Sequence, residues 1–480
     1  MELHIVIEGR KDLAGQVYRQ LSDAIRSGRL APGQQLPPTR LLAGQLGLSR
    51  KTVADAYARL ALDQLVAGRV GAGSFVQAPP APRTHALARM ERNGLASADI
   101  VSKWDSMATP LRHPLPEGRS RYEFIGGCAT PGHFPMDQWR RCVMHALRQD
   151  PALRGRYGEA EGLPVLRDAI ARHIAFARGV VCTPGNVVVT NGAQQALDLL
   201  GRVLLEPGCV VAVEDPGYPA ARGLFASQGA QMVGIPVDGE GIIAERIPDG
   251  TRLVYVTPAH QFPLGMPMSV ARRRALLDRA RAIGAIIIED DYDSEFRYEG
   301  RPTDSLQSMD TDGIVVFVGT FSKVMLPELR LGYMVLPEAL LNAVLTVKHL
   351  TDWHTGTMNQ HALAKFIADG HLQKHIRRCH GIYATRRERL QALFTTLLAP
   401  WFELVPAEAG FHLAALCKKD VDIALLLRLA RRADVGLYSL APFYASQSPR
   451  QGLFLGYGAI DTLDIEPALT RVRDILQQME

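Results

Sequence analysis

Close cysteine pairs, long apolar runs and internal repeats are all missing from this 480-residue sequence. Its six cysteines, Cys128, Cys142, Cys182, Cys209, Cys379 and Cys417, are scattered along the chain. None stands at metal-ligand spacing from another, which argues against a metal site and for free thiols in a reducing, cytoplasmic compartment. The longest apolar run, around residues 285–288, stops at Glu289. It is far short of the roughly 20 residues a membrane helix needs. Residues 1–5 offer neither the basic start nor the long apolar stretch of a secretory leader. A strong excess of one charge is also lacking, the net being only +5, but that charge is uneven. Residues 1–77 hold ten Lys or Arg against six Asp or Glu, leaving +1 for the other 403 residues. Positive charge gathered at one end points to a polyanionic partner.

What is present begins with that basic segment. Leu13, Val17, Leu21 and Ile25 recur every four residues, the stripe of an amphipathic helix, and Gly28 ends it. A second helix is expected from Thr39, as its N-cap, to Leu46. Gly47 closes it, and Ser49 opens a third that turns Val53, Ala56, Tyr57 and Leu60 inward. Helix, glycine turn and a helix beginning Ser-Arg-Lys-Thr is the sequence form of a helix-turn-helix, whose second helix faces the major groove. Residues 66–76 then read as two short strands with a glycine-rich, arginine-bearing tip, a wing able to follow a phosphate backbone. The pieces Gln35-Leu36-Pro37-Pro38-Thr39-Arg40, Ser49-Arg50-Lys51-Thr52-Val53 and Gly71-Ala72-Gly73-Ser74-Phe75-Val76 resemble the winged helix-turn-helix of the GntR family. That resemblance implies operator DNA as a partner. Arg40, Arg50, Lys51, Thr52, Arg69 and Gly73 would lie at it, with Arg50 the leading base contact.

Three units follow from composition: a DNA-binding domain over 1–77, a proline-rich linker over 78–120 and a large domain over 121–480. The linker opens Gln77-Ala78-Pro79-Pro80-Ala81-Pro82, with some helix expected near 86–90. Beyond it, runs rich in Val and Ile at 186–190, 210–214, 253–257, 285–289 and 314–319 alternate with helical patterns such as 193–205 and 270–283. This alternation predicts an α/β fold, a mostly parallel sheet covered on both faces, with functional residues at the carboxyl ends of its strands.

The strand ends carry such residues. Val316-Phe317-Val318-Gly319-Thr320-Phe321-Ser322-Lys323 delivers a lysine into a hydroxyl-rich turn, with Arg330 downstream. A lysine so placed can form an imine with a carbonyl cofactor, while hydroxyls and arginine hold a phosphate. Thr190-Asn191-Gly192-Ala193-Gln194 opens a helix whose N-terminus favours an anion. Tyr218 follows a Pro-Gly turn, and Asp290 and Tyr292 project to one side of an extended chain.

In order and spacing this region resembles fold-type I pyridoxal-phosphate enzymes of the aminotransferase class I/II family. Joined to a GntR-type head, it resembles the MocR subfamily of bacterial transcriptional regulators. The stretches 257–263, 289–298 and 319–323 carry that likeness. It implies pyridoxal 5'-phosphate as cofactor, Lys323 as the internal-aldimine lysine, Asp290 on the pyridine nitrogen, Tyr292 on the ring hydroxyl and Tyr218 stacked on the ring. Gly192, Ala193, Gln194, Thr320 and Arg330 would hold the phosphate, joined by Tyr157 from a partner subunit. A homodimer is therefore implied, with its DNA-binding domains exchanged between subunits.

Two departures stand out. Where family enzymes have a loop asparagine, His260 or Gln261 would have to serve. Where they grip a carboxylate with arginine, the stretch 452–458 has none, leaving Arg450, Arg154 or Arg156 as substitutes. The expected function is a regulator that senses the cofactor, an amine or an amino acid at Lys323, and loss of that bidentate grip shifts the weight to the cofactor itself or an amine lacking an α-carboxylate. The alternative is a working aminotransferase with an accessory DNA-binding domain.

Overall fold

The computed structural model describes residues 5–9, 11–69, 72–78, 104, 107, 120–127, 131–148, 155–299, 304–445 and 450–480. The chain forms two compact units, Met1–Asp105 and Ser106–Glu480. Most of the expected linker, the wing tip Val70-Gly71 and Arg154 fall outside the described residues.

In the first unit, α1 (Leu13–Arg26) buries Val17, Leu21 and Ile25. Each such side chain contributes roughly 1.5–3 kcal/mol relative to exposure. The second helix, α2 (Thr39–Leu46), starts at Thr39 itself, which is a helical residue and not the cap. Pro38 causes this, its ring holding φ at −54° while ψ of 141° turns the chain into the helix. Gly47, at φ 64°, reverses the chain into α3 (Arg50–Leu62). There Ser49 is the cap, its Oγ accepting from the Thr52 N–H at 3.1 Å. Tyr57 pins α3 back by donating to the Pro37 carbonyl at 2.8 Å. The wing is the antiparallel pair β1 (Val66–Arg69) and β2 (Gly73–Val76).

The second unit opens with β3 (Tyr122–Glu123) and is centred on eight strands: β4 (Val187–Thr190), β5 (Val210–Asp215), β6 (Gln231–Asp238), β7 (Gly241–Ile242), β8 (Thr251–Val256), β9 (Ile286–Asp291), β10 (Val315–Thr320) and β11 (Gly332–Val335). Their order is β4-β11-β10-β9-β8-β5-β6-β7. Pairing is parallel from β10 through β9, β8 and β5 to β6, and antiparallel at β11 and β7. The expected runs became β4, β5, β8, β9 and β10. The sequence patterns did not single out β6, β7 or β11.

Alternation explains the burial on both faces. Val187, Val189 and Phe317 join one apolar cluster, while Val188, Val316 and Val318 join another. A smaller antiparallel sheet completes the unit: β12 (Phe402–Leu404), β13 (His412–Cys417) and β16 (Gly452–Gly456) pair in turn, and β15 (Tyr438–Ser439) edges β16. The two-residue β14 (Val435–Gly436) pairs with β3. No helix among the described residues is long and apolar enough to cross a membrane.

Candidate cofactor site and nucleic-acid interface

Parallel strands end at one edge of a sheet, so the loops after them converge. Register does the rest: Val318 lies beside Asp290 and Gly319 beside Asp291 on β10 and β9. Around this edge is a cavity of about 170 Å³ whose wall includes Lys323, Asp290, Tyr292, Tyr218, Thr320, Arg330, Ala193 and Gln194. Eight residues from the ends of β5, β9 and β10, one helix start and the turn before β11 thus share one space.

The anion end is built from backbone. The helix Ala193–Leu204 begins after Gly192, which takes φ 82° and ψ 171°. Its first N–H groups have no intrahelical acceptor and turn toward the opening. A Cβ on Gly192 would meet Arg330 Nη2 at 2.9 Å. Arg330 itself sits at φ 52° and donates Nη2 to the Asn191 carbonyl at 2.9 Å. Thr320 Oγ1 accepts the Ser322 N–H at 3.1 Å, holding the turn that carries Lys323. Behind the cradle Asp352 accepts from Asn191 Nδ2 at 2.9 Å, Gln195 Nε2 at 2.6 Å and the buried Lys348 Nζ at 2.9 Å.

The ring end is carboxylate and phenol. Asp290 Oδ2 accepts from Tyr255 at 2.6 Å, while the buried Oδ1 has no hydrogen-bond partner among the described residues. Burial pushes this carboxyl up to about 6, with Asp291 and Asp293 adding to the rise and the Tyr255 bond and Lys323 opposing it. A protonated pyridine nitrogen would satisfy that orphan oxygen, so the residues fit pyridoxal phosphate. Burial also raises Tyr218 to about 12 and drives Tyr292 well above its ordinary value, keeping both as neutral donors. The Tyr218 ring stands edge-on to Phe262, centroids 5.5 Å apart. Lys323 Nζ donates to the Gly127 carbonyl at 3.0 Å.

The loop after β8 departs from expectation. His260 and Gln261 do not line the cavity, whereas Phe262 and His412 do. Gln261 is spent on its own turn, its Nε2 donating to the Pro216 carbonyl at 2.8 Å and its Oε1 accepting from Leu264 at 3.1 Å. His260 stands behind Tyr292, with Nδ1 2.8 Å from Asp293 Oδ1, and its carbonyl accepts the Tyr292 hydroxyl at 2.9 Å. His412 is driven well below its ordinary value by burial, then by His260 and Lys323. Its imidazole is therefore neutral. Asp293 lies within the stretch 289–298, which implies no role for it, and His412 carries no signal in the sequence because β13 brings it in from far along the chain.

The remaining candidates lie elsewhere. Tyr157 is 76% exposed, its ring tilted at 45° against Trp353 with centroids 4.4 Å apart. Arg156 and Arg450 are exposed and line neither this cavity nor its neighbour. In the N-terminal unit Arg40, Arg50, Lys51, Arg69 and Gly73 are exposed and Thr52 is half-buried at the start of α3. Arg69 covers the Phe75 ring at 4.7 Å, presenting the charge along the wing.

Comparison with known proteins follows the same division. Residues 130–451 match the family model for aminotransferase class I and II, and residues 13–76 match that for bacterial regulatory proteins of the gntR family. The chain is 34% identical to the probable rhizopine catabolism regulatory protein MocR of Rhizobium meliloti, across 97% of this chain and 94% of that one. It is 30% identical to the HTH-type pyridoxine biosynthesis transcriptional regulator PdxR of Corynebacterium glutamicum, across 96% and 95%. Among solved structures, the kynurenine aminotransferase of Pyrococcus horikoshii, in complex with PMP, superposes at TM-score 0.71. The two are 25% identical, with 82% of this chain and 99% of that one covered.

Proposed function

This chain belongs to the MocR family of HTH-type transcriptional regulators, which join a gntR-family head to an aminotransferase class I and II domain, and from that membership we propose that Lys323 is the sensor of its effector. The protein is a DNA-binding regulator with pyridoxal phosphate as its cofactor. When bound, that cofactor supplies an electrophilic aldehyde beside a protonated, electron-withdrawing ring.

The chain's own residues do the rest. Ala193, Gln194, Thr320 and Arg330 would hold the phosphate, Asp290 would keep the ring-nitrogen proton, and Tyr218 would cover the ring. The Lys323 amine would be the group facing the cofactor's aldehyde, the position for which a second amine would compete. The observation carrying this reading is the unpartnered Asp290 Oδ1, buried in the same cavity as Lys323. When displaced, the lysine has a waiting acceptor in the Gly127 carbonyl, 3.0 Å away. Gly127 belongs to the segment through which the chain enters this domain. Exchange of partners at Lys323 thus moves its amine between two states, one on the cofactor and one on the Gly127 carbonyl. An effector changes DNA binding only by favouring one of two such states.

The acting form is a homodimer. Tyr157, Leu350, Trp353 and Met358 are 76%, 79%, 48% and 48% exposed, more apolar surface than water tolerates cheaply beside a site. A second copy would cover it and bring its Tyr157 to the phosphate. On DNA, Arg50 at the start of α3 reads a base edge, and Arg40, Lys51 and Arg69 meet phosphates.

Full-length protein with pyridoxal phosphate is expected to show a visible absorption band that Lys323→Ala abolishes. It is also expected to protect its own upstream DNA with a steep salt dependence, and Arg50→Ala is expected to weaken this by about tenfold or more. Sustained release of keto acid from an amino donor, without sequence-selective DNA binding, would instead support the aminotransferase alternative.

A further inference from the structure

A second cavity, about 320 Å³, adjoins the first and shares Lys323, Tyr218, Phe262 and Gly127 with it. Whatever amine approaches Lys323 from this side must lodge its remaining atoms there. The wall is apolar: Ile125, Leu427, Leu437, Pro442, Phe443 and Phe454. Among the described lining residues Lys323 is the only Lys or Arg.

Of its three hydroxyl-bearing side chains, Tyr218 belongs also to the ring end of the first cavity, and the other two are hydrogen-bonded to neighbours. Tyr438 donates to Glu123 Oε1 at 2.8 Å, and Ser439 Oγ accepts the Ala441 N–H at 3.0 Å. Nearby arginines are engaged as well. Arg431, one turn beyond Leu427, bonds Ser120 at 2.9 Å and Glu123 at 3.0 Å. Arg222 donates to the carbonyls of Pro442 and Phe443, both at 3.3 Å. Among the described residues a carboxylate in this cavity finds no fork of donors to replace its water.

Phe454 is central to the wall. On β16 it lies opposite Ala414 of β13 and Tyr438 of β15. Its ring centroid is 4.7 Å from His412, 5.1 Å from Phe443 and 5.6 Å from Phe262. Gly126 packs so closely that a Cβ there would stand 1.9 Å from Phe454 Cε1. The ring is thus clamped between the small sheet and the segment carrying Gly127. Arginine at this strand position would give a carboxylate its grip; a clamped phenyl ring removes it.

We infer that the effector is a primary amine with an apolar body and no carboxylate, and that Phe454 sets this selectivity. The inference rests on the reading that pyridoxal phosphate is held against Lys323. The neutral His412 beside Phe454 adds no cation to the wall, and the apolar lining favours an alkyl or arylalkyl chain. Each buried methylene is worth about tenfold or more in such a pocket.

The test uses full-length protein loaded with pyridoxal phosphate, its visible band titrated with phenethylamine and with phenylalanine at one pH. Phenethylamine is expected to move the band at a concentration at least about tenfold lower than phenylalanine. Phe454→Arg is expected to narrow or reverse that ratio, and Phe454→Leu to preserve its order. Equal or better response to phenylalanine in the native protein would overturn the inference, as would a band that no amine moves. A protein that forms no band with pyridoxal phosphate would remove the underlying cofactor reading as well.

Discussion

Asp290 shows how a single buried atom specifies a ligand. Its Oδ2 is occupied by Tyr255 and its Oδ1 has no partner, which burial makes costly once the carboxyl ionises. The folded-state value, about 6, lies above the ordinary 3.8. Stability owed to the neutral carboxyl is therefore complete below about pH 4 and is lost as pH rises through about 6. A shift of this size corresponds to something on the order of 3 kcal/mol. Cofactor-free protein is expected to lose stability relative to Asp290→Asn between about pH 4 and pH 7, read from denaturant midpoints. Pyridoxal phosphate is expected to recover part of that loss. A difference that does not vary with pH would mean that Asp290 is not the titrating group. At this scale Lys323, Asp290, Tyr292 and Tyr218 were legible in the sequence because each follows an apolar strand. Tyr255 and Gly127 were not: one is hidden inside such a strand, and the other meets Lys323 across 196 residues of chain.

Elements decide whether those residues can act together. The cradle depends on a helix start that only glycine enters easily, since Gly192 combines φ 82° with an arginine 2.9 Å from its missing Cβ. Gly192→Ala therefore carries a penalty of about 1–3 kcal/mol for a positive-φ, extended backbone that glycine alone enters readily, plus displacement of Arg330. Affinity for pyridoxal phosphate is expected to fall about tenfold or more, measured by titrating the visible band. Unchanged affinity would remove Gly192 from the cradle. The strands β4, β5, β8, β9 and β10 were legible as short Val- and Ile-rich runs. The small antiparallel sheet was not, because its strands come late and alternate weakly, and it is this sheet that supplies His412 and Phe454. The N-terminal helices were legible almost to the residue, except that Pro38 moved the start of α2 onto Thr39.

Across the whole molecule the unanswered surface is the apolar face around Tyr157 and Trp353. Leu350, 79% exposed on the helix Glu338–Asp352, stands one turn before Trp353. A charge placed there would be buried by a second copy without a partner. Leu350→Asp is expected to convert a dimer into a monomer in sedimentation velocity while keeping the folded spectrum. A native protein that sediments as a monomer at micromolar concentration would reject the dimer. The same face runs back to the phosphate cradle through Asp352, which holds Asn191 and Gln195, so loss of the dimer is also expected to weaken cofactor binding.

By itself the sequence determined the two kinds of unit, the strand ends and the residues there that carry charge or an amine. These are local matters: periodicity, glycine and proline placement, and a basic excess confined to the first 77 residues. Only the tertiary structure decided that His260 stands behind Tyr292, that Asp290 keeps an open oxygen, and that Phe454 walls the space beside Lys323. Those facts depend on which distant segments close over one sheet edge, and no local pattern records that choice.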